Sequence, residues 1–293
     1  MKPKIGVVGV PGGWSSELLA DRVAEKTGFR LLIDMKQTKL DLINGTVLFD
    51  DQDLSQLDGL IIKKIGMRYS PDFLDRLEVL RFLQEKGVQM FSKPLNIIRL
   101  LDRLSCTVTL RAGDIPMPPT VITESLEQAE ETVRDFGVAV LKPLYSTKAR
   151  GMQVIRHGEN VRDLLSEFKK ENKIMYIQKK LKLPDYDLGV VFLGGKYLTT
   201  YARRITNGAW NTTTRSGGKY SPHTPSDEII DLADRAQKLF DLDFTCVDIA
   251  ETETGPIVFE VSAFGGFRGV QSTSGIDAAS KYVEYVIEQL RAA

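Results

Sequence analysis

Hydrophobic and polar positions along this chain follow two different periods, and each change of period marks an element. Residues 4–10 form a short unbroken apolar run, the pattern of a strand covered on both faces. The run stops at Pro11-Gly12-Gly13, and an amphipathic helix is predicted from about residue 15 to Lys26. The glycine loop before it could receive an anion, although it lacks the lysine-containing phosphate loop and the full dinucleotide fingerprint; a plain strand-to-helix turn is the simpler reading. Short apolar runs at 31–33, 47–49, 59–62 and 88–91, with a helix over about 71–86, predict an α/β lobe with a parallel sheet. One helix is expected over 94–112, stopped by Gly113 before the extended Ile115-Pro116-Met117-Pro118-Pro119. The expected division is therefore a domain over 1–93 and a second over 94–293, the latter split into a small lobe of about 113–180 and a large lobe of about 181–293.

Past the prolines the pattern becomes mixed α+β. Ser125-Leu126-Glu127-Gln128 is a capping box for a helix to Phe136, ended by Gly137. Val138-Ala139-Val140-Leu141 then forms a strand that delivers Lys142 to its end, where a point charge can reach phosphate. A helix near 161–170 precedes a strand over 174–178, which runs into Lys179-Lys180-Leu181. Strands over 188–193 and 196–201 flank the tight Gly194-Gly195 turn. Thr224 is the expected cap of a helix reaching Phe240, and Ser274-Gly275-Ile276-Asp277 opens the last helix.

The most informative stretch is 245–269. Polar side chains recur at period two among apolar ones, so Asp248 shares a face with Cys246 and Ala250, and Glu260 shares one with Ser262 and Val258. Thr252 to Pro256 has the composition of a turn, which predicts a hairpin bringing Asp248 and Glu260 together. Two carboxylates so placed repel unless neutralised. Either a hard cation such as Mg²⁺ bridges them, or each meets a lysine or arginine.

Composition narrows the picture. Lys and Arg number 39, as do Asp and Glu, so the net charge of zero gives no support to a nucleic-acid partner. The charge is unevenly spread: from Lys142 to Lys219 there are 16 Lys/Arg against 6 Asp/Glu, which suits either a bound polyanion or a solvated basic face. Two cysteines without a CxxC pair and two histidines argue against zinc or a disulfide framework. The longest apolar runs fall short of a membrane span, so a cytoplasmic protein is expected.

The order Val-Asp-Ile, Gly-Pro, Phe-Glu-Val-Ser-Ala, Gly-Phe-Arg-Gly and Ser-Thr-Ser-Gly-Ile-Asp resembles the C-terminal signature of ATP-grasp enzymes, most closely the RimK-like branch. The resemblance runs from about Leu101 to the C-terminus. It implies an α/β (α+β) ATP-grasp fold: an N-terminal α/β pre-ATP-grasp lobe, then a two-lobed nucleotide-binding unit. It further implies that Asp248, Glu260 and Ser262 hold Mg²⁺ on the ATP phosphates, with Ser262 standing where the family carries Asn. Lys142 is then the strand lysine on the α- and β-phosphates, and Arg103 occupies the position of a phosphate-contacting lysine. Residues 145–152 match a mobile glycine-rich loop, of which Gly151 remains while Lys148 and Arg150 add charge and Ser146 and Ala149 replace glycines. Gln178, Lys179, Lys180 and Leu181 match the hinge that grips adenine through backbone groups. Asp187 is a ribose or positioning candidate, and Gly189 takes the place of an arginine. Arg203 and Arg204 match a paired-arginine motif, one of them for the transferring phosphoryl group or the acceptor carboxylate. Trp210, Arg215 and the following glycines match a polar loop of the relatives, while the residues between do not, which leaves the acceptor chemistry of this loop open. The implied activity is ADP-forming carboxylate–amine ligation through an acyl phosphate. Its partners would be an amino acid or other amine and a small-molecule, peptide or protein carboxylate acceptor, with homo-oligomers common in the branch. The departures at Arg103, Ser146, Ala149, Gly189 and Ser262 leave open a nucleotide-binding regulator without turnover.

Overall fold

In a computed structural model, which describes residues 2–147, 149–158, 160–206, 211–213 and 217–292, the opening apolar run becomes strand β1 (Ile5–Val8), buried at all four positions. Helix α1 (Trp14–Thr27) and strand β2 (Leu32–Ile33) follow. The run at 47–49 departs from expectation. With its neighbours it forms a separate antiparallel sheet of β3 (Lys39–Asp41), β4 (Thr46–Phe49) and β5 (Gln52–Asp53). Asp41 supplies the reason: its carboxylate accepts the N–H groups of Ile43 and Asn44, which closes a tight reversal instead of a crossover. The parallel sheet is completed by β6 (Gly59–Ile62) and, after α2 (Asp72–Glu85), by β7 (Gln89–Phe91), in the order β2-β1-β6-β7.

The single helix expected over 94–112 is broken. A short α3 (Pro94–Ile97) and a 3-10 turn precede α4 (Arg103–Ala112), because the Asp102 side chain caps a new start by accepting the Ser105 N–H at 2.7 Å. The next sheet comprises β8 (Thr120–Thr123), β9 (Val138–Lys142), β10 (Gln153–Arg156) and β11 (Met175–Lys179), antiparallel in the order β10-β9-β11-β8. Helices α5 (Leu126–Phe136), capped by Ser125 as predicted, and α6 (Val161–Glu171) pack against it. Their apolar cluster, with Val133, Leu141, Leu165, Phe168 and Ile177, is confined to this part of the chain.

A five-stranded antiparallel sheet follows, built from β12 (Tyr186–Leu193), β13 (Lys196–Arg204), β14 (Lys219–Pro222), β15 (Phe244–Thr252) and β16 (Gly255–Ser262), in the order β14-β13-β12-β15-β16. Gly194 and Gly195, with φ of 57° and 73°, make the two-residue turn between β12 and β13. Helix α7 (Asp227–Lys238) is capped by Ser226 rather than Thr224, since the Ser226 hydroxyl is the group that accepts the Ile229 N–H. Helix α8 (Phe267–Ser274), not anticipated from its Gly/Ser/Thr-rich sequence, and α9 (Ala278–Ala292) end the fold. The N-terminal parallel sheet and this sheet share their apolar cores: Val8 and Leu60 pack in one cluster with Val190 and Val258, and Val7 packs in another with Val191 and Phe244. Each such aliphatic side chain taken fully from water contributes about 1.5–3 kcal/mol, so the two sheets are held rigidly. Among the described residues no helix is long and apolar enough to cross a membrane.

Candidate active site

The β15–β16 hairpin places Asp248 directly opposite Glu260. The expected face-sharing of Glu260 with Val258 is not seen. The register shifts after Asp248, so Ile249 pairs with Val258 and Phe259 is the extra residue of a bulge. Val258 is therefore fully buried in the core with Val247, Ile249 and Val261. Phe259 instead turns toward the acids' side, where its ring centre lies 5.3 Å from the Lys142 ammonium. Ser262, two residues past Glu260 and opposite Cys246, stays on the acids' face, because Val261 between them is in the core.

A third acid joins from β12. Asp187 pairs in register with Arg203 of β13, and the guanidinium grips its carboxylate at both oxygens, 2.9 and 2.8 Å. The same guanidinium lies 3.0 Å from Asp248. Burial pushes the Asp248 carboxyl above its usual range, a push that Glu260 and Asp187 reinforce and Arg203 opposes. Arg204, one residue on, points the other way, bonded to Ser221 and stacked 4.9 Å over Tyr186, so the structure brings Arg203 to the acids and leaves Arg204 outside. Gly189 has a packing reason: a Cβ there would lie 2.4 Å from the ring of Tyr201. Arg203 supplies beside Asp187 the cation that a glycine at 189 does not.

The facing wall comes from the four-stranded antiparallel sheet, and α4, packed on β16 of the large sheet, joins the two through Thr107 and Tyr176. Lys142 ends β9 with its ammonium buried and bonded to the Gln178 side-chain carbonyl. The Gln178 amide donates in turn to the Thr120 hydroxyl at 3.0 Å and lies 3.4 Å from the Tyr176 hydroxyl, which pairs with Thr107 of α4. Burial, with help from Arg103, pushes the Lys142 pKa down to about 7. Arg103, at the first position of α4, reaches across the cleft to Glu260 at 3.2 Å. Its Nε is buried and has no acceptor among the described residues. A charged donor left unsatisfied in this way points to an acceptor that arrives with a ligand. Gln178 was expected to act only through its backbone; an amide directly after the apolar run Met175-Tyr176-Ile177 is the signal for its buried side-chain function.

The remaining candidates border the cleft. Gly151 has a φ of 68°, and Ala149 adopts 56°, so the chain keeps a glycine-like conformation there without the glycine. Arg150 folds back onto Thr147 at 2.9 Å, and Lys148 lies outside the described residues, as do Trp210 and Arg215. The N–H groups of Lys179 and Lys180 bond to the carbonyls of Pro119 and Val138. The Leu181 N–H has no partner among the described residues, which leaves it as the available donor of this stretch. Asp187, Asp248 and Glu260 of the large sheet thus share one cleft with Arg203 of the same sheet, Arg103 of α4 and Lys142 of the small sheet. Such a site can hold a polyphosphate against a cation-binding carboxylate pair.

Comparison with known proteins gives a consistent picture. A family model described as the RimK-like ATP-grasp domain matches residues 101–286. The tetrahydromethanopterin:alpha-L-glutamate ligase of Methanosarcina acetivorans is 24% identical, over 97% of this chain and 98% of that protein. Among solved structures, the ATP-grasp ligase PsnB, complexed with a phosphomimetic variant of minimal precursor, Mg and ADP, superposes with a TM-score of 0.76 at 16% identity, over 99% of both chains. The D-alanyl-alanine synthetase A of Vibrio cholerae superposes with a TM-score of 0.75 at 12% identity, over 100% of both.

Proposed function

This chain belongs to the RimK-like ATP-grasp family, and we propose that it is an ATP-dependent carboxylate–amine ligase that adds an amino acid, in the first instance L-glutamate, to the carboxylate of a peptide, protein or small acid. The observation that carries the proposal is the pairing of Asp248 with Glu260 in a cleft with Lys142 and with Arg103, whose Nε alone has no acceptor among the described residues. The amino acid is suggested by the relatives named as alpha-L-glutamate ligases.

The donor chemistry fits Mg²⁺. Two carboxylates set opposite each other, with the Ser262 hydroxyl beside them, form a partial set of hard oxygens, and no group of three or more acid, His or Cys side chains among the described residues forms a closed cage. A partial oxygen set suits a hard cation that is not held by the protein alone. Asp248, Glu260 and Ser262 would hold it, and when bound it would supply positive charge to neutralise phosphate oxygens.

The protein's own groups do the positioning. Lys142, aimed by Gln178, presents a point charge to the phosphates, and anionic oxygens beside it restore the proton that burial disfavours. Arg103 offers its Nε. Leu181 offers a backbone donor to the base. Arg203, held rigidly by Asp187, stabilises charge that develops as the γ-phosphoryl group passes to the acceptor carboxylate. The amine then attacks the acyl carbon of the acyl phosphate, the C–O bond to phosphate breaks, and phosphate leaves as the nitrogen loses a proton to give the amide. A chemistry that consumes ATP suits the cytoplasm.

The test is release of ADP by the full chain given ATP, Mg²⁺, L-glutamate and a panel of carboxylates, with mass spectrometry of the products. The expected result is acceptor-dependent ADP release, a matching amide, and loss of both in Glu260→Gln. Nucleotide binding without acceptor-dependent ADP release across the panel would overturn the proposal.

A further inference from the structure

Tyr220 has no part in the chemistry above, yet it stands beside the reacting groups. β14, the outermost strand of the large sheet, pairs with β13 so that Tyr220 lies directly opposite Arg203, as Asp187 does on the other side. Residues opposite each other in an antiparallel pair put their side chains on one face, with Cβ atoms about 4.5–5.5 Å apart. Asp187, Arg203 and Tyr220 therefore form one row across three strands, on the face that carries Asp248 and Glu260.

The Tyr220 ring has a fixed seat. It stands edge-on to the ring of Tyr201, with 5.3 Å between centres and 90° between planes. Tyr201 is itself buried, its ring against Gly189 and its hydroxyl 3.5 Å from the Cys246 thiol. An aromatic pair of this geometry holds the Tyr220 ring without calling on its hydroxyl. That hydroxyl has no hydrogen-bond partner among the described residues, although the side chain is half-buried. Burial pushes the phenol pKa above its ordinary value, against the pull of Arg203, so the group stays a neutral donor.

Arg203 supplies a second free donor on the next strand. Its Nε and Nη2 are committed to Asp187, and Nη2 also lies 3.0 Å from Asp248. Nη1 is left without a hydrogen-bond acceptor among the described residues. The fold thus uses neither donor.

The order along the row says which part of the reaction they would meet. Phosphates held over Asp248 and Glu260 would lie on one side of Arg203, and Tyr220 lies on the other. Attacking and leaving oxygens of a phosphoryl transfer are roughly in line, so the carboxylate that receives the group would approach from the Tyr220 side.

We propose that the Tyr220 hydroxyl is a catalytic hydrogen-bond donor of the ligation, bound to the acceptor oxygen that does not take the phosphoryl group, with Arg203 Nη1 as its companion. This rests on the ligase reading and names a residue for its second half. As the amine nitrogen bonds to the acyl carbon, the carbonyl electron pair moves onto this oxygen, where the two donors stabilise the charge. When the pair returns, the bond to the phosphate oxygen breaks, phosphate leaves and the nitrogen gives up a proton.

The experiment is calorimetric titration of the full chain, loaded with ADP and Mg²⁺, with two phosphonates. Acetylphosphonate is a stable analogue of an acyl phosphate, and in ethylphosphonate a methylene replaces the acyl carbonyl. The wild type is expected to bind acetylphosphonate about ten-fold more tightly, the effect of hydrogen bonds to the acyl oxygen. Tyr220→Phe, which keeps the ring on Tyr201, should lose most of that preference with ADP affinity unchanged. Equal binding of the two phosphonates by the wild type, binding of neither, or a preference kept in full by Tyr220→Phe overturns the proposal. Failure of the wild type to bind ADP would instead remove the ligase reading beneath it.

Discussion

The two walls of the cleft are built on opposite electrostatic plans. On the small-sheet side, and on α4 that joins it to β16, donors outnumber acceptors: Lys142 is buried and pushed toward neutrality, and the Arg103 Nε has no acceptor among the described residues. On the large-sheet side, acids are in excess: Asp187 and Asp248 share one guanidinium, and burial pushes Asp248 upward. Each wall alone carries an unfavourable imbalance, and a ligand with phosphates toward one side and a cation toward the other relieves both. Unsatisfied charge of this kind marks a functional site more sharply than the fold does, because a scaffold selected only for stability would replace it with apolar packing.

The largest expected effect comes from weakening the acidic wall. Glu260→Gln keeps the size and removes the charge, and acceptor-dependent ADP release should fall by about 10²–10³-fold, the range for losing one electrostatic stabiliser of a transition state. Its melting temperature should change little, since the Glu260 side chain is 43% exposed and its pair with Arg103 is only partly desolvated. A large loss of stability with retained turnover would mean that the acid serves the scaffold.

The cationic wall should respond differently. Lys142→Met is expected to weaken nucleotide binding by roughly 10- to 100-fold, in line with a lost charged hydrogen bond, while raising thermal stability because an apolar chain replaces a buried ammonium. The gain has a pH signature. Below about pH 7 the wild-type ammonium is charged and buried, and its destabilising effect is fully present. As pH rises from about 7 toward the ordinary lysine range, the unfolded chain retains a proton that the folded chain has lost, so wild-type stability increases and the variant's advantage shrinks. Melting curves at pH 6 and pH 9 check this, and an advantage that grows with pH would contradict it.

Smaller effects separate packing from chemistry. Gly189→Ala should destabilise by about 1–3 kcal/mol through overpacking against Tyr201, and adding Tyr201→Leu should recover most of that loss in denaturant titrations. The smallest effect is expected at Ala149, whose left-handed backbone is unfavourable for a side chain. Ala149→Gly should be stabilising, or at most neutral, by about 0.5–1 kcal/mol once the greater freedom of the unfolded glycine is offset.

Much of the acidic wall was legible in the sequence, because period-two alternation and a turn composition specify a hairpin locally. The bulge was not. Counting by twos from Glu260 puts Val258 on the acids' face, and only the inserted Phe259, set by pairing with the neighbouring strand, sends Val258 into the core. Lys142 was legible as the polar end of an apolar strand, whereas its alignment by Gln178, 36 residues away, depends on β9 and β11 being neighbours. Gly189 read as a lost arginine until Tyr201 appeared opposite it in register. Tyr220 gave no signal, since an aromatic between Gly218 and Pro222 reads as part of a polar loop, and its place beside Arg203 is set by the pairing of β13 with β14.

The most direct measurement is calorimetric titration of the wild type and Glu260→Gln with ATP, with and without Mg²⁺. Tight binding that requires Mg²⁺ in the wild type, and loses that requirement in the variant, is the result expected if a cation joins the acidic wall to the phosphates. ATP binding that is indifferent to Mg²⁺, or a Mg²⁺ dependence that survives in Glu260→Gln, would contradict the two-walled account.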